Sequence, residues 1–201
     1  MAKLQLSKSA LSKERSNLKT YQQFLPSLDL KRQELMSQRA KAKKALVETK
    51  INLEQLSQTM AEQIPMLSNN KVDLTELVMV KDVDLDHQNI MGAHLPVLKT
   101  VSVDVRAYSF LAKPQWVDGV AIKLKDLLTL QIQLQVEQQR LELLNAAVRT
   151  ITQRVNLFDK VLIPKAQQNI KKIKIYLSDL ECAAVVNAKL AKSKRLREAA
   201  L

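Results

Sequence analysis

Apolar residues recur every three or four positions through the first third of the chain. Leu4, Leu11, Leu18 and Leu25 lie seven apart. A 3-4 alternation then runs through Leu18, Tyr21, Leu25, Leu28, Arg32, Leu35, Arg39, Ala42, Leu46, Thr49, Leu53, Leu56 and Met60, broken only by Arg32, Arg39 and Thr49. Sustained over more than three heptads, this is the seam of a coiled-coil helix. Pro26 lies inside it and predicts either a kink or a helix start. The last part of the chain has the same period: Leu127, Leu130, Leu134, Glu137, Leu141, Leu144, Val148, Ile151, Val155, Phe158 and Leu162. Around Pro164 the frame slips into two four-residue steps, Leu162, Ala166, Ile170, before Ile173, Leu177, Leu180 and Ala184. Such a stutter locally relaxes a left-handed supercoil.

The centre reads differently. Residues 97–110 (VLKTVSVDVRAYSF) alternate, with Val101, Val103, Val105 and Ala107 on one face, the pattern of a strand rich in β-branched residues. Residues 72–83 are apolar-rich and fit either strand or helix. Residues 127–136 also alternate apolar and polar, yet they lie in a Gly- and Pro-free run that leads into heptads. If this run is helical, Leu128, Ile132 and Val136 form a second apolar stripe beside the Leu127, Leu130, Leu134 seam. A two-stranded coil cannot bury both, so another helix or subunit is expected to cover the second. The predicted fold is mainly α: a long antiparallel two-helix coiled-coil hairpin with a small, partly β central cap. The expected division is 1–64 for the first helix, 65–117 for the cap and 118–201 for the second helix. At ~1.5 Å per residue the two helices would run roughly 95 and 125 Å. Antiparallel pairing with the chain ends together would set Pro26 level with Pro164, or the two prolines are unrelated.

Composition sharpens this picture. The chain has 201 residues, of which 2 are Gly and 3% aromatic, while 46% are hydrophobic. Two glycines, Gly92 and Gly119, cannot build Gly-rich phosphate loops or the many turns of a β-sandwich. So few aromatics argue against base-stacking platforms. The formal net charge is +12, with the basic excess in both flanks and an acidic excess in the centre. Basic runs at Lys41, Lys43, Lys44, at Lys171, Lys172, Lys174, and at Lys192, Lys194, Arg195, Arg197 read either as solvated helix faces or as contacts for an acidic partner. No signal peptide or membrane span is evident, which predicts a soluble, cytoplasmic protein.

Catalytic chemistry finds no foothold. His87 and His94 have no ligand at metal-binding spacing, and no metal or cofactor is expected. Cys182 stands alone. Asp82, Asp84 and Asp86 imitate the start of a calcium loop, but its sixth position is His87 and its twelfth Ala93. There is no Ser-His-Asp set, P-loop or credible carboxylate pair, so no catalytic residue is assigned.

Three stretches together resemble the D subunit of the V/A-type rotary ATPases. They are Leu30-Lys31-Arg32-Gln33-Glu34-Leu35 in the first helix, Asn89-Ile90-Met91-Gly92-Ala93-His94-Leu95-Pro96 in the centre, and Arg154-Val155-Asn156-Leu157 followed by Ile163-Pro164, Ile170, Ile173 and Leu177. They keep the family's order and spacing over nearly the whole chain. Pro26 and the small-residue stretch 179–189 (DLECAAVVNAK) depart from the family's pattern. The resemblance implies a non-catalytic central rotor shaft, on the membrane periphery, turning inside a hexamer of catalytic A and B subunits. It further implies the rotor's F subunit and a membrane-proximal funnel subunit as partners, and no nucleic acid. On that reading Leu128, Ile132 and Val136 would receive the F subunit. Lys192, Lys194, Arg195 and Arg197, with Lys3, Lys8 and Lys13 alongside, would face the hexamer. Two other readings are a coiled-coil stalk of a flagellar or type III export ATPase, which predicts no β-containing centre, and a basic coiled-coil binder of nucleic acid or acidic membranes, which predicts steep salt dependence.

Overall fold

A computed structural model describes residues 5–65, 74, 77–108 and 113–198. Their elements run α1 (Lys8–Gln63), β1 (Val78–Ile90), β2 (Ala93–Val105), α2 (Trp116–Leu157), a π-helical turn (Phe158–Leu162) and α3 (Ile163–Glu198). The protein is thus mainly helical, with long helices packed antiparallel and a two-stranded hairpin between them in sequence. Two compact units divide it, Met1–Leu30 with Ile151–Leu201, and Lys31–Thr150.

In the unit formed by both chain ends, α1 opens at Ser7, whose Oγ accepts the Ala10 N–H at 3.2 Å, an N-cap that satisfies one of the free amides of the first turn. Its partner is the C-terminal helical run. Lys8 lies 3.9 Å from Glu181, Leu18 shares a groove with Gln167 and Ile170, and Tyr21 meets Phe158 edge-on at 5.6 Å. Ascending numbers on one helix against descending numbers on the other make the pair antiparallel. Both prolines lie in this unit. α1 continues through Pro26 rather than starting there. Pro164 is accommodated differently. It has no N–H, and its ring opposes the Lys160 carbonyl one turn back. Directly before it the helix widens, and the Ile163 N–H bonds the Phe158 carbonyl five residues away instead of four. The extra residue of this turn is the physical form of the predicted frame slip. Val155 and Ala166, eleven apart, are both buried, as is Ile173 seven further on.

The other unit pairs later α1 with α2 and adds the hairpin. Leu35, Leu46, Thr49 and Met60 are buried on α1, and Val136, Leu144 and Val148 on α2, all of them seam or second-stripe positions. Gln63 at the end of α1 accepts a hydrogen bond from the Lys123 ammonium. Residues 127–136, strand-like in pattern, are helical within α2. Helix wins because β-alternation there has no neighbouring strand to pair with, whereas the i, i+3, i+7 subset has a facing helix.

β1 and β2 pair antiparallel from Val78↔Val105 to Ile90↔Ala93, with irregularities between Val80 and Asp82 and between Asp84 and Leu85. The ambiguous stretch before residue 83 is therefore strand from Val78 on, and its earlier residues, apart from Leu74 and Leu77, lie outside the described residues. The predicted strand is displaced: β2 starts at Ala93 and ends at Val105, so Ala107 is not in it, and Phe110 lies outside the described residues. The turn is two residues long. Met91 has φ 52° and Gly92 φ 89°, the mirror-image turn whose twist suits a hairpin. The Asn89 Oδ1 locks it by accepting the Gly92 N–H at 2.9 Å. At the other end a small core of Leu77, Val117 and Ala121, flanked by Leu74, Val78, Tyr108, Trp116 and Leu124, joins the hairpin base to the start of α2.

Candidate partner-binding surfaces

The hairpin base is held by polar contacts as well as by this core. The Arg106 N–H extends the strand pairing by donating to the Leu77 carbonyl at 3.0 Å. The Tyr108 hydroxyl donates to Asp118 in the first turn of α2, and this hydrogen bond raises the phenol above its ordinary value. The Lys113 ammonium lies 5.5 Å from the Tyr108 ring centroid, a cation–π contact. Along the strands, Lys81 pairs with Asp104 and Lys99 with Asp86 at 3.3 Å. The Lys81 hydrogen bond holds Asp104 below the usual carboxylate range. Asp86 is lowered first by the His87 backbone N–H and then by Lys99. These pairs are exposed, so they orient the hairpin surface more than they stabilise it.

At Val136 the second apolar stripe meets β2 of its own chain. Val136 is 8% exposed and shares a cavity wall with Pro96, Val97 and Leu98 of β2. Leu128 and Ile132 are half-buried. The stripe was legible in the sequence. The hairpin as its partner was not, because nothing in a heptad pattern says where a β-hairpin folds back. Beyond it the hairpin presents an apolar surface of its own that the heptad and strand patterns did not signal: Met79, Val80, Leu85, Met91 and Val105 are all 41% exposed or more.

The basic residues are distributed rather than gathered. Lys8 and Lys13 are exposed on α1, and Lys192, Lys194 and Arg195 are exposed on α3. Lys8 lies opposite Glu181, eleven residues before Lys192 on α3. At ~1.5 Å per residue that separates the levels of Lys8 and Lys192 by about 16 Å. Lys3 and the Arg197 side chain lie outside the described residues. α3 is exposed throughout residues 178–196, including Val185, Val186 and Leu190 at 54–55%. Among the described residues, α1 begins at Lys8, opposite Glu181, and α3 continues beyond that level to Glu198.

Among the described residues, no group of three or more His, Cys, Asp or Glu could hold a metal ion, and Cys182 is exposed. No described helix is long and apolar enough to cross a membrane. What the described surface offers is apolar and charged area on long helices packed antiparallel and on a hairpin, which defines a mainly helical hairpin protein with a two-stranded β element.

Comparison with known proteins narrows that class. The family profile of the ATP synthase D subunit matches residues 10–193. The V-type ATP synthase D subunit of Borreliella burgdorferi is 34% identical over 199 residues, covering 98% of each chain. The D subunit of Chlamydia muridarum is 34% identical over 199 residues, covering 96% of each, and that of Chlamydia pneumoniae 31% over 202 residues, covering 98% of this chain and 95% of its own. The chain belongs to the D-subunit family of V-type ATP synthases.

Proposed function

We propose that this chain is the non-catalytic central rotor shaft of a V-type ATP synthase complex. It transmits torque between ATP hydrolysis or synthesis in a hexamer of A and B subunits and ion translocation in the membrane sector. The observation that carries this reading is the full-length relationship to V-type D subunits. The uncovered length of α3 supports it, since a shaft end needs a sleeve. Two wound helices resist twisting better than one. Cationic residues on the shaft give angle-dependent attraction to acidic sleeve loops, screened by salt. The three-part division, 1–64 and 118–201 as shaft and 65–117 as cap, belongs to this proposal, as does a location on the cytoplasmic periphery of the membrane. The β1–β2 hairpin counts against an export-ATPase stalk.

In this assignment Lys8, Lys13, Lys192, Lys194 and Arg195, with Lys3 and Arg197, face the hexamer. Leu128 and Ile132, backed by Val136, receive the rotor's F subunit. The funnel subunit above the membrane ring takes the turn-rich end. Gentle affinity purification of the tagged chain from its host, with mass spectrometry, tests the core of the reading. Recovery of two large ATPase subunits and a small partner is expected; recovery of nucleic acid or export-apparatus proteins without ATPase subunits overturns it. Leu128→Gln with Ile132→Gln is expected to release the F subunit while the chain stays helical by circular dichroism. Retention at wild-type affinity removes the stripe from the assignment. Charge reversal of Lys192, Lys194 and Arg195 is expected to lower ATP-driven rotation, most strongly at low salt.

A further inference from the structure

Glu137 occupies a seam position of α2, where the heptads call for an apolar residue. Its Oε1 accepts the Gln133 amide at 3.0 Å, while its Oε2 is buried and has no hydrogen-bond partner. A buried carboxylate oxygen without a partner is costly. Two cations, Lys41 of α1 and Arg140 of α2, line the same cavity of about 280 Å³. Neither lies within ion-pair distance of Glu137 among the described residues. Arg140 is engaged elsewhere: its guanidinium donates to the Gln88 Oε1 of β1 at 3.3 Å, a long and exposed contact with a neutral amide. A second cavity, about 350 Å³, lies between α2 and β2 and is also lined by Glu137 and Arg140. Residues three apart on a helix are neighbours, so a change of rotamer brings Arg140 to Glu137.

We propose that Arg140 is a two-position latch between α2 and the hairpin. In the position seen, it holds Gln88, so β1 is fastened to α2 and the Glu137 Oε2 is left without a cation. In the other position it turns into the cavity and pairs with Glu137, and the far half of the hairpin is released. Each position satisfies one group at the expense of the other. A guanidinium bond to a neutral amide opposes a guanidinium–carboxylate pair, the stronger of the two, whose partners must first be desolvated. The open space on both sides of Glu137 gives the side chains room to exchange, which a close-packed seam would deny. Whatever binds the hairpin near Gln88 then biases which partner Arg140 takes in the helix seam, and the reverse. The latch stands on the geometry of residues 31–150 alone and is independent of the rotor assignment.

Amide hydrogen exchange of the full-length chain, read by mass spectrometry over β1 and β2, tests it. Glu137→Gln removes the competing charge at nearly constant volume, so Arg140 stays on Gln88 and hairpin exchange slows by about threefold. Arg140→Gln frees the hairpin and speeds exchange by about the same factor. In the Arg140→Gln background, Glu137→Gln is expected to change nothing in the hairpin, which separates the latch from a general gain in helix stability. Gln88→Glu gives Arg140 an ionic partner on β1 and should slow exchange with Glu137 intact. Hairpin exchange that is unchanged or faster in Glu137→Gln, or equally slowed by it with and without Arg140, overturns the latch. So does Gln88→Glu exchanging at the wild-type rate.

Discussion

Met91 holds a backbone conformation that asparagine or glycine adopts at lower cost. With φ 52° it sits first in a turn whose second residue, Gly92, has φ 89°. The side chain is 52% exposed, so packing among the described residues does little to repay the strain. Met91→Asn is expected to stabilise the hairpin by about 0.5–1 kcal/mol in urea unfolding. Gly92→Ala should destabilise it by about 1–2 kcal/mol. The second effect is purely conformational, because a Cβ at Gly92 would meet no atom within 4 Å. The hairpin's ion pairs add a pH dependence of definite sign. Asp86 and Asp104 are lowered from the ordinary 3.8. Their contribution is therefore present above that value and is lost as pH falls through the lower folded values. Lys81, raised from 10.5 by Asp104, contributes below that value and loses its share as pH rises beyond it. Hairpin exchange, corrected for intrinsic rates, should thus be flat across neutral pH, rise below about pH 4, and rise again only in strong alkali as Lys81 deprotonates. Because the paired side chains are more than half exposed, salt should blunt even that rise.

At the level of elements, the turn before Pro164 keeps the seam continuous. Between Val155 and Ala166 the spacing is eleven residues, three turns with one residue more than heptads supply. Deleting Asp159 together with Pro164→Ala removes both the extra residue and the reason for the wide turn. The result should be an ordinary α-helix with the seam still facing α1, and a stability change of less than about 1 kcal/mol. Deleting Glu142 instead rotates every later seam position by roughly 100° and should cost several-fold more. Thermal unfolding followed by circular dichroism compares the two. The irregularity was visible in the sequence as two four-residue steps beside a proline, because burial period is a direct record of helix phase. The strand limits were less legible. Residues 97–110 alternate, but pairing begins at Ala93 and stops at Val105, because the turn at Met91 and Gly92, not the alternation, sets the register. The fate of residues 127–136 was legible only in part. Their neighbours decided for helix, and Val136 is buried beside a β2 that no local pattern connects to it.

For the molecule as a whole, exposure rises where a partner helix runs out. The seam written into the sequence continues through Leu177, Leu180 and Ala184, but residues 178–196 are exposed, since α1 starts only at Lys8. The sequence pattern records what a helix face is made for, and the described residues do not supply the surface that this face requires. The one ion pair described across this level, Lys8 with Glu181, is 81% and 70% exposed and contributes at most about 1 kcal/mol. An isolated helical segment of about 12–15 residues is marginal in water without packing. Truncation after Leu180 should therefore leave the midpoint of thermal unfolding within about 2 °C of the full chain, because almost nothing packed is removed. In the isolated protein, amides of residues 185–196 should exchange at close to unprotected rates. Binding to a surrounding hexamer should protect them, and the truncated chain should bind that hexamer more weakly while folding equally well. Strong protection in the isolated chain would mean that the segment is covered by its own fold or by a second copy. The unpaired length of α3 would then no longer support a sleeve.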